Sequence, residues 1–171
     1  MKDLILEKTR ELFLTIGFKS ITMDNIANAM GVSKKTIYNY YSDKQSLANE
    51  TIKYHYNNLH KEIKAIIDLS DNSIETFFKI SSHFRETLND TTPLFVHDLK
   101  KFHPDLYINH QDYKENLFEK SLQKVLIKGK NEGFIRDDIN DTIVSKLRIE
   151  MIDDRFGFLV LINYHFFQVP P

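Results

Sequence analysis

Apolar side chains recur along this chain at intervals of three and four residues, the period of an α-helix, and few glycines or prolines interrupt them. Ile5, Thr9, Leu12, Phe13 and Ile16 form one such stripe, which predicts a first helix closed by Gly17 as its C-terminal cap. Thr22 offers a hydroxyl N-cap to a short second helix with Ile26, Ala27 and Met30 on its inner face, and Gly31 stops it. Ser33 caps a third helix running from Lys34 to Tyr41, and Ser42 or Asp43 caps a fourth, carried by Leu47, Ile52 and Leu59 to about residue 67. Asp71, Asn72 and Ser73 make a break. Further helices are predicted over 74–88, 93–101 and 104–130, the last closed by Gly129 and Gly133, with a loop over 133–140. Asp141 then caps a final helix on which Ile143, Val144, Leu147 and Met151 share a face. Strand-like alternation is scarce, so the expected fold class is all-α.

Composition narrows the function more by exclusion than by suggestion. A chain of 171 residues with 42% hydrophobic and 27% charged residues can bury a sizeable core and is too apolar to stay disordered. It contains no cysteine, which rules out a disulfide framework, a cysteine-based zinc site and a thiol nucleophile, and suits a reducing cytoplasm. Residues 1–10 mix charge with apolar groups and show no secretory signal pattern. The apolar stretch 156–167 is broken by Gly157, Asn163 and His165, so no membrane span is expected. The net charge of −1 lacks the basic excess common in nucleic-acid binders. Its distribution changes the picture: Lys34 and Lys35 stand in an acid-free stretch between Asp24 and Asp43, and Lys44 follows it.

That stretch carries the chemistry. Two short helices separated by Gly-Val-Ser need a glycine for the turn, an apolar plug at Val32 and a hydroxyl at Ser33 to satisfy free N–H groups of the next helix. Ala27 is small where the helices cross. With Ile26, Val32, Ile37 and Tyr41 packed inward, Lys34, Lys35, Thr36, Tyr38, Asn39 and Tyr40 are left on the outer side. The first residues of a helix laid in the major groove reach base edges, where lysine donates to guanine and threonine meets a thymine methyl, a task that fits Lys34, Lys35 and Thr36. Hydroxyls and ammonium groups suit phosphate oxygens, which set register without reading sequence; Thr22, Tyr38, Tyr40 and Lys44 fit that second task. The bland reading of the same residues is a structural three-helix unit with solvated lysines, and for Lys35 taken alone the two readings are balanced.

Gly31-Val32-Ser33, then Thr36-Ile37-Tyr38, then Tyr41, Lys44 and Leu47, together with upstream Leu12-Phe13, Gly17-Phe18, Thr22, Ile26 and Ala27, resemble the TetR family of bacterial transcriptional regulators over roughly residues 4–50. The resemblance implies an N-terminal three-helix DNA-binding domain, residues 1–46 with its helix-turn-helix core at 22–41, and a C-terminal helical domain, residues 47–171, for ligand binding and dimerisation. It implies a homodimer on a palindromic double-stranded DNA operator, a small-molecule effector that releases it, no catalytic activity and no cofactor. The DNA-binding residues carried over are Thr22, Ser33, Lys34, Lys35, Thr36, Tyr38, Asn39, Tyr40 and Lys44. The chain departs from the family pattern at Lys35, where many relatives have a small residue, and after residue 155, where the usual last dimerisation helix is shortened or replaced.

Other features carry less. Phe77, Phe84, Phe95, Phe102, Tyr107 and Tyr113 could line an apolar effector cavity or be plain core. His83, His97, His103 and His110 lack the spacing of a ligand set, so no metal is expected. No nucleophile, phosphate-binding glycine loop or carboxylate pair stands in a catalytic frame, so no enzyme is expected. The rival reading is a helical protein-interaction or adaptor module that kept the fold and lost DNA binding.

Overall fold

The computed structural model describes residues 1–90 and 93–145. Among them the chain forms seven principal helices: α1 (Lys2–Ile16), α2 (Met23–Met30), α3 (Lys34–Tyr38), α4 (Lys44–Leu69), α5 (Ser73–Asp90), α6 (Pro93–Phe102) and α7 (Pro104–Asn131). The all-α expectation holds. An eighth helical turn begins at 141, and the predicted face of Leu147 and Met151, like the aromatic tail, lies outside the described residues.

Local chemistry sets most helix ends. Gly17 closes α1 with φ 93°, and Gly31 closes α2 in the left-handed conformation. Thr22 forms a reciprocal capping box with Asn25, and the Ser33 hydroxyl accepts from the Thr36 N–H. Asp43, not Ser42, caps α4: its Oδ1 accepts from Ser46 N at 2.7 Å. Three expectations are corrected. The third helix ends at Tyr38 rather than Tyr41, because the N–H groups of both Tyr40 and Tyr41 turn back to the Ile37 carbonyl. The last helix is capped by Asn140, whose Oδ1 accepts from Ile143 N, and not by Asp141. In α1 the buried set is Ile5, Leu6, Thr9, Phe13 and Leu14, while Ile16 is exposed. This helix packs against both α2 and α6, so its buried arc is turned toward Leu6 and Leu14.

The chain divides into two compact units. The first groups Met1–Leu59 with Glu86–Tyr113, and the second groups His60–Arg85 with the chain from Lys114 onward. These packing units cut across helices, since α4, α5 and α7 each contribute to both. In the first unit α1 packs on α2, α2 on α3, and α6 on α1. Its core holds Ile5, Phe13, Phe18, Ile26, Ile37, Leu47 and Leu99, all at most 1% exposed.

The second unit is organised round Phe84 and Phe118, whose rings stack at 3.8 Å, with Ile63, Val125, Leu126 and Ile135 also buried. Its helix α5 begins at a tertiary cap: Ser73 N donates to Glu132 Oε2 at 2.7 Å, across 59 residues of chain. Glu132→Ala leaves that N–H without its carboxylate and is expected to cost about 1 kcal/mol, a fall of about 2–4 °C in melting temperature. Thermal unfolding of the variant followed by circular dichroism checks this; an unchanged midpoint would show that water replaces the carboxylate without loss.

Candidate nucleic-acid interface

The second and third helices meet at Gly31-Val32-Ser33. Gly31 adopts φ 66°, its N–H returns to the Asn28 carbonyl, and Val32 N donates to the Ala27 carbonyl, which folds the chain back so that α3 can start. Ser33 then spends its hydroxyl on Thr36 N at 3.1 Å and shares a 2.8 Å hydrogen bond with the Thr36 hydroxyl. Ile37 is fully buried and pins α3 to the core. One inward residue in a five-residue helix leaves the other side chains on one outward surface: Lys34, Lys35, Tyr38, Asn39 and Tyr40 are exposed, with Thr36 half-buried. Tyr41 is buried, and burial, assisted by the carboxylates of Glu50 and Asp3, pushes its phenol up to about 12. Lys2, which the sequence reading passed over, lies 6.0 Å from the Tyr41 ring.

The nine residues expected at DNA differ in how free they are. Lys35, Tyr38, Asn39 and Tyr40 present open side chains. Lys34 is paired: its Nζ lies 2.8 Å from Asp24 Oδ2, and that hydrogen bond raises the ammonium's pKa. Both members are exposed, so the pair is weak and exchangeable with an incoming phosphate or base. Thr22 and Ser33 are engaged as caps, though both remain at the surface. Lys44 is half-buried: its Nζ donates to the Phe18 carbonyl at 2.5 Å and lies 4.2 Å from the Phe18 ring. Desolvation there lowers its pKa.

Asp43, one residue earlier, is exposed, and the N–H of Ser46 holds its carboxyl below the ordinary 3.8. A carboxylate depressed on folding stabilises above its unfolded value and loses that contribution as pH falls through the folded one. Asp43→Ala is therefore expected to melt lower than the parent at neutral pH, with the gap closing below pH 3.8. Paired melting curves at pH 7 and pH 3 test it; an equal gap at both would remove the carboxylate from the cap.

The six aromatic residues weighed as an effector pocket are divided. Phe77 and Phe84 belong to the second unit, Phe95, Phe102, Tyr107 and Tyr113 to the first. Phe84 and Phe95 are buried; Tyr113 stacks on Tyr56 at 5.8 Å; Tyr107 accepts a hydrogen bond from Gln111; Phe102 is 39% exposed, with lysines over its ring. Within the first unit Phe95 lines a cleft of about 260 Å³ with Arg10, Phe13, His55, Tyr56 and His110. Burial, aided by the charge of Arg10, drives His55 down to about 3, so it is neutral there. Neither His55 nor Arg10 stood out in the sequence, because a histidine or arginine on a helical stripe looks like a surface residue.

Two short capped helices, the second with its apolar side pinned and its polar side open, are the helix-turn-helix arrangement of DNA-binding proteins. Residues 5–51 match the family model for bacterial regulatory proteins of the tetR family, and the chain belongs to that family. Over 48 residues it is 40% identical to the HTH-type transcriptional regulator AlkX of Mycobacterium tuberculosis, a stretch covering 28% of this chain and 23% of that protein. Over 84 residues it is 26% identical to IcaR of Staphylococcus aureus, the negative transcriptional regulator of the biofilm operon icaADBC, covering 49% of this chain and 45% of IcaR. The match thus spans less than half the length of either curated relative. Similar in fold are a TetR transcriptional regulator from Legionella pneumophila (TM-score 0.72, 16% identity, 89% of this chain and 82% of that one) and the fatty acid degradation regulator FadR from Bacillus halodurans (TM-score 0.72, 15% identity, 90% and 83%).

Proposed function

We propose that this chain is a DNA-binding transcriptional regulator, a repressor that holds a palindromic operator as a homodimer in the cytoplasm and is released by a small-molecule effector. The observation that carries the proposal is the division of α3, with Ile37 fully buried and Lys35, Tyr38, Asn39 and Tyr40 open on the other side of a turn held by Gly31 and Ser33. Residues 1–46 form the reading module and residues 47–171 the regulatory part.

Lys34, Lys35 and Thr36, at the start of α3, address base edges in the major groove. Tyr38, Asn39 and Tyr40 offer hydroxyls and an amide to the flanking backbone, with Thr22 and Ser33 at the two helix starts beside them. Lys44 has three ammonium protons; one holds the Phe18 carbonyl, and the others are available to a phosphate. The effector role rests on the aromatic side chains of α5 to α7, of which Phe84 and Phe95 are buried and Phe77, Phe102, Tyr107 and Tyr113 lie nearer the surface. An effector acts only by preferring a conformation whose recognition helices no longer match the half-site spacing. The IcaR likeness supports repression, since that protein is named as a negative regulator.

Selection from random duplex DNA with the purified chain, followed by the mass of the complex, tests the proposal. Enrichment of a palindrome bound by two copies is the expected result. Binding without enrichment, or no binding, would overturn it.

A further inference from the structure

A second basic surface lies in the same packing unit as α3, outside the helix-turn-helix. Lys19, in the loop between α1 and α2, places its Nζ 4.2 Å from the centre of the Phe102 ring, and Lys101 places its own 5.4 Å from the same ring. Phe102 ends α6 and is 39% exposed. Lys100 stands beside it, with Nζ 5.9 Å from the Tyr107 ring. Among the described residues none of these three ammonium groups pairs with an acid. Asp98, the nearest acid on α6, is 3% exposed and turned inward, its Oδ2 accepting from the backbone N–H of Lys19 at 2.8 Å.

We propose that Lys19, Lys100 and Lys101, gathered round Phe102, are a second phosphate-binding surface that grips the duplex flanking the half-site read by α3. The proposal rests on the DNA-binding reading above and adds a contact outside the helix-turn-helix.

Three features support it. An exposed aromatic face attracts ammonium groups only weakly, by roughly 0.5–1 kcal/mol each, so bringing two like charges to one ring leaves a positive field that an anion relieves. The surface is held in fixed relation to the reading module. The Lys19 backbone is bonded to Asp98, the Phe18 carbonyl to Lys44, and the Phe18 ring meets His103 edge-on at 4.4 Å, all within the first unit. It is also continuous along the chain with the DNA-facing end of α2, since Lys19 lies three residues before the Thr22 cap. Phosphate is the chemistry that point-charge ammonium groups on flexible stems accept without base reading. The competing explanation is that Lys100 and Lys101, in the last turn of α6, only offset the carbonyl end of that helix.

The test uses the full chain and two duplexes carrying the palindrome enriched above, one trimmed to the palindrome and one extended by about ten base pairs, one helical turn, on each side. Affinities are read by fluorescence anisotropy over a series of salt concentrations. The parent is expected to bind the longer duplex several-fold more tightly and with a steeper salt slope. Lys19→Ala with Lys101→Ala is expected to abolish that advantage, reducing the slope on the long duplex by about 1.8, near 0.9 per lost contact, with the trimmed duplex unaffected. Lys19→Arg with Lys101→Arg keeps the charge and should keep the slope. Both pairs are surface changes, and unchanged melting temperatures confirm the fold. Equal parent affinity for the two duplexes, or an alanine pair that matches the parent on the long one, overturns the flanking contact alone. Failure of the parent to bind either duplex overturns the regulator reading and the flanking contact with it.

Discussion

Gly17→Ala is expected to lower stability by about 3 kcal/mol, a fall of about 6–12 °C in melting temperature for a chain of this size. Two costs combine. At φ 93° the backbone sits where residues with a side chain are strained. A Cβ placed there would also lie 2.9 Å from Leu94 Cγ and 3.0 Å from Asp98 Oδ2, so α6 would have to retreat or Asp98 would have to release the Lys19 N–H. Gly31 provides an internal comparison. Its φ is also positive, at 66°, but nothing lies within 4 Å of its would-be Cβ, so Gly31→Ala should cost only about 1 kcal/mol of backbone strain. Thermal or urea unfolding of both variants separates the terms. If Gly17→Ala is no costlier than Gly31→Ala, the loop is not clamped against α6 and its rigidity cannot be invoked.

Lys35→Glu combined with Tyr38→Ala is expected to weaken DNA binding at least about a hundredfold, near 2.8 kcal/mol, while the melting temperature stays within about 2 °C of the parent. Both side chains are exposed on α3, and neither supports the core that Ile37 anchors. Truncating one contact and reversing the charge of another removes favourable groups and sets a carboxylate against phosphate. Lys34 would give a smaller effect, because part of its charge is already answered by Asp24. Anisotropy titration with the selected operator decides the matter. Affinity within threefold of the parent would mean that α3 is not the reading helix, and would favour an interaction module that kept the fold alone.

The residues of α2 and α3 explain why so much of this module was legible in one dimension. Thr22, Gly31, Ser33 and Gly17 act on partners three to five residues away, so the cap and the helix it begins or ends are written in the same short window. Ile26 and Ile37 were readable as inward for a similar reason, since a helix that short has one apolar side. Where two tertiary neighbours compete, the period alone misleads. In α1 the stripes through Leu12 and Ile16 and through Leu6 and Leu14 overlap, and contact with both α2 and α6 selected the second. The length of α3 was misjudged because Tyr40 and Tyr41 continue the helical pattern while their N–H groups go to one carbonyl.

The candidate interface shows the same limit. Which residues face outward on α3 followed from local pattern; what each outward group already holds did not. Asp24 lies ten residues from Lys34, and the Phe18 carbonyl 26 residues from Lys44. Asp98 is the plainest case. An aspartate among lysines on α6 looks like a solvated charge, yet it is buried and bonded to a backbone N–H 79 residues away.

The sequence by itself determined the all-helical class, the helix ends and the polar side of the reading helix, because those depend on hydrogen bonds and periodicities closed within a few residues. Only the tertiary structure decided which charges are spent and which remain free, and that the loop after α1 joins α6 in carrying lysines to one aromatic ring. Such pairings depend on which groups the packed helices leave within hydrogen-bonding distance, and no local spacing encodes that.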